Sequence, residues 1–204
     1  MAPVHPNNPS IRNPDWARQV FESSRQPRSW LLVGRRLRSS AETIFAQENP
    51  VAKRFFDELR RVGEVSAKSG ETYDFDEGEF PYPNFDAAHM LVAFAMENLL
   101  KGLIVAKGVV TFFDQRIPRE LASHNLLSLH QKALPASTIT PLILESLTYT
   151  STWRGRYPFP KSIDGFWPMR EDGSFSAAGY SWPGFQEEAL KYCIGLEMEL
   201  KSFL

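Results

Sequence analysis

The chain has 204 residues, 43% of them hydrophobic and 23% charged, the balance of an ordinary globular protein long enough for one substantial core. Its 23 Lys and Arg against 24 Asp and Glu leave a formal net charge of -1. That excludes a global electrostatic pull toward nucleic acid or anionic membrane, so any RNA contact has to come from local clustering.

Met1 to Pro14 is rich in Pro and Asn and has neither the basic stretch nor the apolar run of a targeting peptide. Residues 1-14 are therefore expected to form a flexible tail, and 15-204 a single domain. From Arg28 to Gln47 the residues Trp30, Leu31, Val33, Leu37, Ala41, Ile44 and Phe45 recur at three- and four-residue steps, which predicts an amphipathic helix ended by Asn49 and Pro50. A second helix is predicted from Val51 to Ser66, followed by an acidic loop from Glu71 to Pro83. Asp86 stands where it can cap the next helix, which runs to Lys107 with Gly108 as its left-handed stop.

Residues Ala87 to Ala106 of that helix are mostly apolar and nominally long enough to span a bilayer. Glu97, Asn98 and Lys101 lie within it, and placing them near a bilayer centre costs several kcal/mol. The composition instead predicts the central helix of a bundle, and no membrane.

Further along, Ser123 reads as the N-cap of a helix carrying Leu126, Leu127, Leu129 and Leu134 and closed by Pro135. Another helix is predicted from Thr140 to Trp153, and a last one from Pro183 to Phe203. Between them, Gly155 to Trp182 is studded with Gly, Pro and aromatic side chains. It reads as a long ordered loop containing a turn at Asp172-Gly173, and residues 155-182 offer a surface to a protein partner. Together these elements predict an all-α, up-and-down bundle of about five to six helices with that aromatic-rich loop before the last one.

Cys193 is the only cysteine, so no internal disulfide forms, and a cytoplasmic location is the simplest expectation. No Gly-rich phosphate loop, zinc-type ligand spacing or nucleophile elbow occurs, so neither a cofactor nor a metal is expected.

Glu97 and Lys101 stand out because, Asn98 aside, the positions around them on their helix are apolar. Such charges must be paired, hydrated or placed at a cavity. A structural ion pair accounts for them, and so does a cleft shared with His124. The latter sits in the first turn of its predicted helix, in a field that favours a bound phosphate, where its imidazole either serves as a base or merely packs the helix start. Arg154 and Arg156 offer guanidinium groups to phosphate oxygens and Tyr157 a ring to stack on a base, although positive charge at a helix C-terminus needs no ligand. Arg25, Arg28, Arg35, Arg36 and Arg38 form the strongest local basic patch, which is either a solvated helix face or a track for a nucleic-acid backbone.

Three collinear pieces are similar to the HEPN superfamily of helical bundles from prokaryotic defence, toxin-antitoxin and nucleotide-binding systems. They are Glu97-Asn98-Leu99-Leu100-Lys101-Gly102-Leu103, Ser123-His124-Asn125-Leu126-Leu127-Ser128-Leu129 and Trp153-Arg154-Gly155-Arg156-Tyr157-Pro158. The resemblance implies a homodimer that binds RNA or a nucleotide. Many members cut RNA without metal, through an Arg followed four to six residues later by His, with the composite site formed from two protomers. Arg119 and His124 match that spacing and would stand as catalytic residues. Five residues on a helix are about 140° apart, however, and Pro118 with a cap at Ser123 puts Arg119 outside the helix of His124. The family motif also lies on a later helix, and no histidine follows His130. The resemblance therefore implies a binding or regulatory module whose catalytic motif is absent or displaced. A metal-independent ribonuclease and a protein-binding scaffold using the aromatic loop are the alternatives.

Overall fold

The computed structural model describes residues 14-70, 83-113, 116-137, 141-154 and 184-204. Among them are six α-helices and no strand: α1 (Pro14–Ser23), α2 (Pro27–Ser69), α3 (Asp86–Ala106), α4 (Leu126–Ala133), α5 (Pro141–Tyr149) and α6 (Phe185–Lys201). A 3-10 turn, Arg119–Ala122, precedes α4, and a π turn, Thr150–Arg154, extends α5. The architecture is an all-α bundle.

The number of α-helices meets the expectation by two compensating differences. The helices predicted on either side of Asn49 and Pro50 are one continuous helix, α2, with Pro50 inside it. Packing overrides the proline penalty here. Ala41 and Phe45 before the proline, and Ala52 and Phe55 after it, are all buried on the same side of α2, while Ala46, whose carbonyl loses its bond partner to the ring, is exposed to water. The additional helix is α1, which begins at Pro14, inside the stretch expected to be a tail. The predicted acidic loop and the aromatic loop with its turn at Asp172-Gly173 fall on residues 71-82 and 155-183, outside the described residues, as do residues 1-13.

The centre of the bundle is α3. Thirteen of its 21 residues are buried, and it is the one described helix long and apolar enough to cross a membrane, with 72% of its most apolar window covered by the rest of the chain. Helix α2 runs against it, setting Gly34 beside Leu99 and Trp30 beside Gly102 at one end and Phe45 beside His89 at the other. Helix α6 runs in the same direction as α3, from Phe185 beside His89 to Leu200 beside Gly102. Polar ties fix the periphery. The Lys107 ammonium donates to the Ala133 carbonyl at 3.0 Å and pairs with Glu199 at 3.1 Å, joining the ends of α3, α4 and α6. Buried Glu197 on α6 accepts from Arg38 on α2 at 2.5 Å and lies 3.5 Å from Arg35. Burial works against the Arg38 charge, but Glu197 and Glu42 outweigh it and hold the guanidinium pKa above its ordinary value.

The same pairing engages part of the arginine patch. Arg35 and Arg38 turn toward Glu197, Arg38 also meets Glu42, and Arg25 pairs with Glu22 and lies over the rings of Phe21 and Phe112. Three of the five cations are engaged with the protein itself, while Arg28, Arg35 and Arg36 are exposed.

Two glycines permit the close approach of α2, α3 and α6. A Cβ on Gly102 would stand 2.7 Å from Leu200 Cδ2 and 2.8 Å from Trp30 Cβ, and one on Gly34 would stand 2.7 Å from Leu99 Cγ. Gly195, on the exposed side of α6, has nothing within 4 Å. The two positions therefore respond to alanine with opposite signs. Gly102→Ala is expected to destabilise the fold by about 1–3 kcal/mol through overpacking, and Gly195→Ala to stabilise it by up to about 1 kcal/mol through helix propensity, both read from urea denaturation midpoints.

Candidate functional site

Glu97 and Lys101 lie one turn apart on the face of α3 that meets the start of α4. Both are buried, and the Lys101 ammonium donates to Glu97 Oε1 at 2.7 Å. A buried pair of this kind needs its remaining lone pairs satisfied. His124 does so from outside. Its Nδ1 lies 3.0 Å from Glu97 Oε2 and 3.1 Å from Oε1. The Glu97 side chain is 9% exposed and that of His124 53%, so the carboxylate is inside the fold and the ring at its surface.

This contact assigns the histidine tautomer. With Lys101 on one oxygen, the Glu97 carboxylate is an acceptor, so Nδ1 carries the hydrogen and donates it. Nε2, on the far side of the ring, is then the atom that gains or loses a proton. Among the described residues no partner holds it.

The local backbone shows why the ring sits there. Helix α4 begins later than its sequence suggests: Asn125 is the N-cap, its side chain accepting from the Ser128 amide at 2.8 Å. Ser123 is not the cap; its hydroxyl accepts from the Asn125 amide at 3.1 Å and shapes the approach to the helix. His124 thus precedes the cap instead of lying in the first turn, and its side chain is free of helical packing. The start of α4 is also held from α5, where Thr148 Oγ1 accepts from the Leu126 amide at 3.0 Å and donates to the Leu144 carbonyl at 2.7 Å. With the Leu126 and Ser128 amides both engaged, this helix end has less to offer a phosphate, and imidazole Nε2 is a donor only when the ring is protonated. The other expected caps differ in smaller ways. Asp86 lies in the first turn of α3 after the N-cap Phe85, while Gly108 does take the left-handed conformation, with φ of 65°, just past its end.

The expected partners of His124 divide clearly. Glu97 and Lys101 are brought to it. Arg119 is exposed on the 3-10 turn and forms no hydrogen bond or ion pair with His124 or any other described residue, so the Arg-to-His spacing does not make a pair within one chain. Arg154 ends the π turn, but its side chain, like all of Arg156 and Tyr157, lies outside the described residues.

A second histidine on α4 provides a contrast. His130 is 4% exposed, its Nδ1 is 2.5 Å from Tyr192 Oη, and its Nε2 is 3.2 Å from the Ser137 carbonyl. A carbonyl only accepts, so Nε2 donates to it and Nδ1 accepts from the tyrosine. Both nitrogens are spoken for, and burial raises the pKa of the Tyr192 hydroxyl, which stays protonated to donate. His130 is a structural tie between α4 and α6. Cys193, fully buried with its thiol pushed far up by that burial, is equally inert. The sequence placed Tyr192 and Cys193 only within the last predicted helix, and nothing in it signalled the tie to His130 or the Thr148 brace.

Comparison with models of known protein families, with curated proteins and with solved structures found no match. The site stands on its geometry alone. Removing Glu97 leaves the Lys101 charge buried without a counter-ion, so Glu97→Ala is expected to cost about 3–5 kcal/mol of stability. His124→Ala, at the exposed end of the same cluster, should cost about 1 kcal/mol or less. Equal losses in urea denaturation would show that the imidazole is as structural as the carboxylate.

Proposed function

We propose that this chain is a HEPN-like module that binds nucleic acid or a nucleotide through phosphate, with a regulatory role in a cytoplasmic prokaryotic defence or toxin-antitoxin type system and a homodimer as its working form. The observation that carries the reading is the His124 imidazole at the surface, oriented by a buried Glu97 that is itself paired with Lys101. Two of the three pieces that resemble the superfamily, far apart in sequence, meet there. Once protonated, the exposed imidazole supplies one hydrogen-bond donor, Nε2–H, for a phosphate oxygen, and the bond to Glu97 behind it fixes the direction of that donor. Arg154, Arg156 and Tyr157 are the further groups proposed to grip the ligand, and Arg119 has a place only if a second copy brings it to His124.

A second reading, a metal-independent endoribonuclease, is favoured by one specific feature. A carboxylate bonded to one imidazole nitrogen, with the other nitrogen turned outward, is the arrangement by which enzymes orient a general base or acid. In that reading His124 Nε2 takes the proton from a ribose 2′-hydroxyl as the oxygen attacks phosphorus, the P–O5′ bond breaks to leave a 2′,3′-cyclic phosphate, the departing 5′-oxygen takes a proton from water, and an arginine stabilises the charge that develops.

The two readings separate in one experiment. Purified protein is incubated with single-stranded and structured RNA in EDTA, beside His124→Ala and a mock purification. The binding-module reading expects intact RNA at high protein excess, with a complex visible on a native gel. Cleavage that is lost in His124→Ala and absent from the mock would replace it with the ribonuclease.

A further inference from the structure

The charges at the site add up in a way that makes anion binding depend on a proton. Glu97 and Lys101 are buried together and cancel, so with a neutral imidazole the cluster has no net charge to offer an anion. Adding a proton to His124 makes it +1, and the proton goes to Nε2 because Nδ1 already holds one against the carboxylate. The atom that becomes a charged donor is therefore the one turned away from the fold.

Beyond Glu97, no charged group among the described residues is bonded to the ring. From α3 the groups bonded to it or to its partner are Glu97 and Lys101. On the 3-10 turn before it, Arg119 and Glu120 are exposed and form no ion pair with it. The first turn of α4 carries no acidic residue. From α5 the Thr148 hydroxyl, which does not titrate, bonds the start of α4; Glu145 stands one turn before it on the same helix and Arg154 six residues beyond it.

We infer that this site takes up a phosphate group and a proton together, so that the protein binds its ligand when His124 is imidazolium and releases it when the ring is neutral. The inference rests on the phosphate-binding reading above and adds its regulation. Imidazole is the side chain whose charge ordinarily changes between about pH 5 and about pH 8. The sign follows: binding is strongest at the acidic end, and affinity falls about tenfold per pH unit once the free protein's imidazole is neutral.

The test uses the full chain and a tetramethylrhodamine-labelled 2′-O-methyl uridine oligonucleotide, which no 2′-hydroxyl attack can cleave and whose phosphodiesters, bases and dye keep their charge across this range. Adenosine monophosphate, measured separately at the acidic end, tells a free nucleotide from a polymer as the source of the phosphate. Wild type is expected to bind at about pH 5.5 and to weaken toward about pH 8, the slope approaching about tenfold per unit where the free protein's ring is neutral. His124→Lys, a permanent cation, should bind with no such slope, and His124→Gln should bind weakly throughout. The ring is half exposed, so both variants should melt close to wild type, which a thermal scan verifies. Wild-type binding that ignores pH, or a slope that survives in His124→Gln, overturns the proton coupling and leaves the phosphate reading standing. Absence of binding to either ligand at the acidic end overturns both.

Discussion

The structure depends on a helix with no side to give to water. Helix α3 is covered by α2, α4, α5 and α6, and it supplies the largest share of the continuous core. A helix of this kind can be buried in several registers, since one apolar contact is much like another. What distinguishes its positions is the few features that are not apolar. Gly102 and Gly34 set how closely α2 and α6 approach. Glu97 and Lys101 require that the uncovered end of their pair point to one place on the surface.

That requirement links fold and site. Replacing a buried ion pair by well-packed apolar groups is often neutral or stabilising, so the pair is poorly explained by stability alone. Its geometry does something an apolar pair does not: it presents a fixed carboxylate to the chain arriving at α4, and the arriving residue is His124. The Asn125 cap and the Thr148 brace then hold that short helix from its other sides. A site built in this way is stiff at the back and open at the front, the arrangement that lets one ring atom serve a ligand without reorganising the core.

Much of this was legible before any coordinates. The all-α class followed from three- and four-residue apolar spacing, and the central place of α3 from its lack of a polar face. Glu97 and Lys101 were conspicuous for the same reason, because charges surrounded by apolar positions have to be accounted for. What was not legible has physical causes. Pro50 reads locally as a stop, and only burial on both sides of it by the same neighbours carries the helix through. Ser123 and Asn125 are both good caps by residue type, and the choice between them is made by Thr148, which lies more than twenty residues away. Arg119 and His124 have a suggestive spacing, yet the turn between them separates the side chains. The arginines at the start of α2 look free in sequence because their acceptor, Glu197, is some 160 residues distant.

The two histidines of the α4 region show why residue type alone cannot locate a site. They stand six residues apart, and each has a polar group fixing its tautomer. The Ser137 carbonyl and the Tyr192 hydroxyl use both nitrogens of His130, so protonating that ring would cost it an acceptor inside the fold. Glu97 uses one nitrogen of His124, and a proton on the other disturbs nothing inside while strengthening the bond to the carboxylate. The same chemical event therefore opposes the fold at one ring and is compatible with it at the other. A group that can change charge without disturbing the packing beneath it is suited to answer a ligand, and among the described histidines His124 has that freedom.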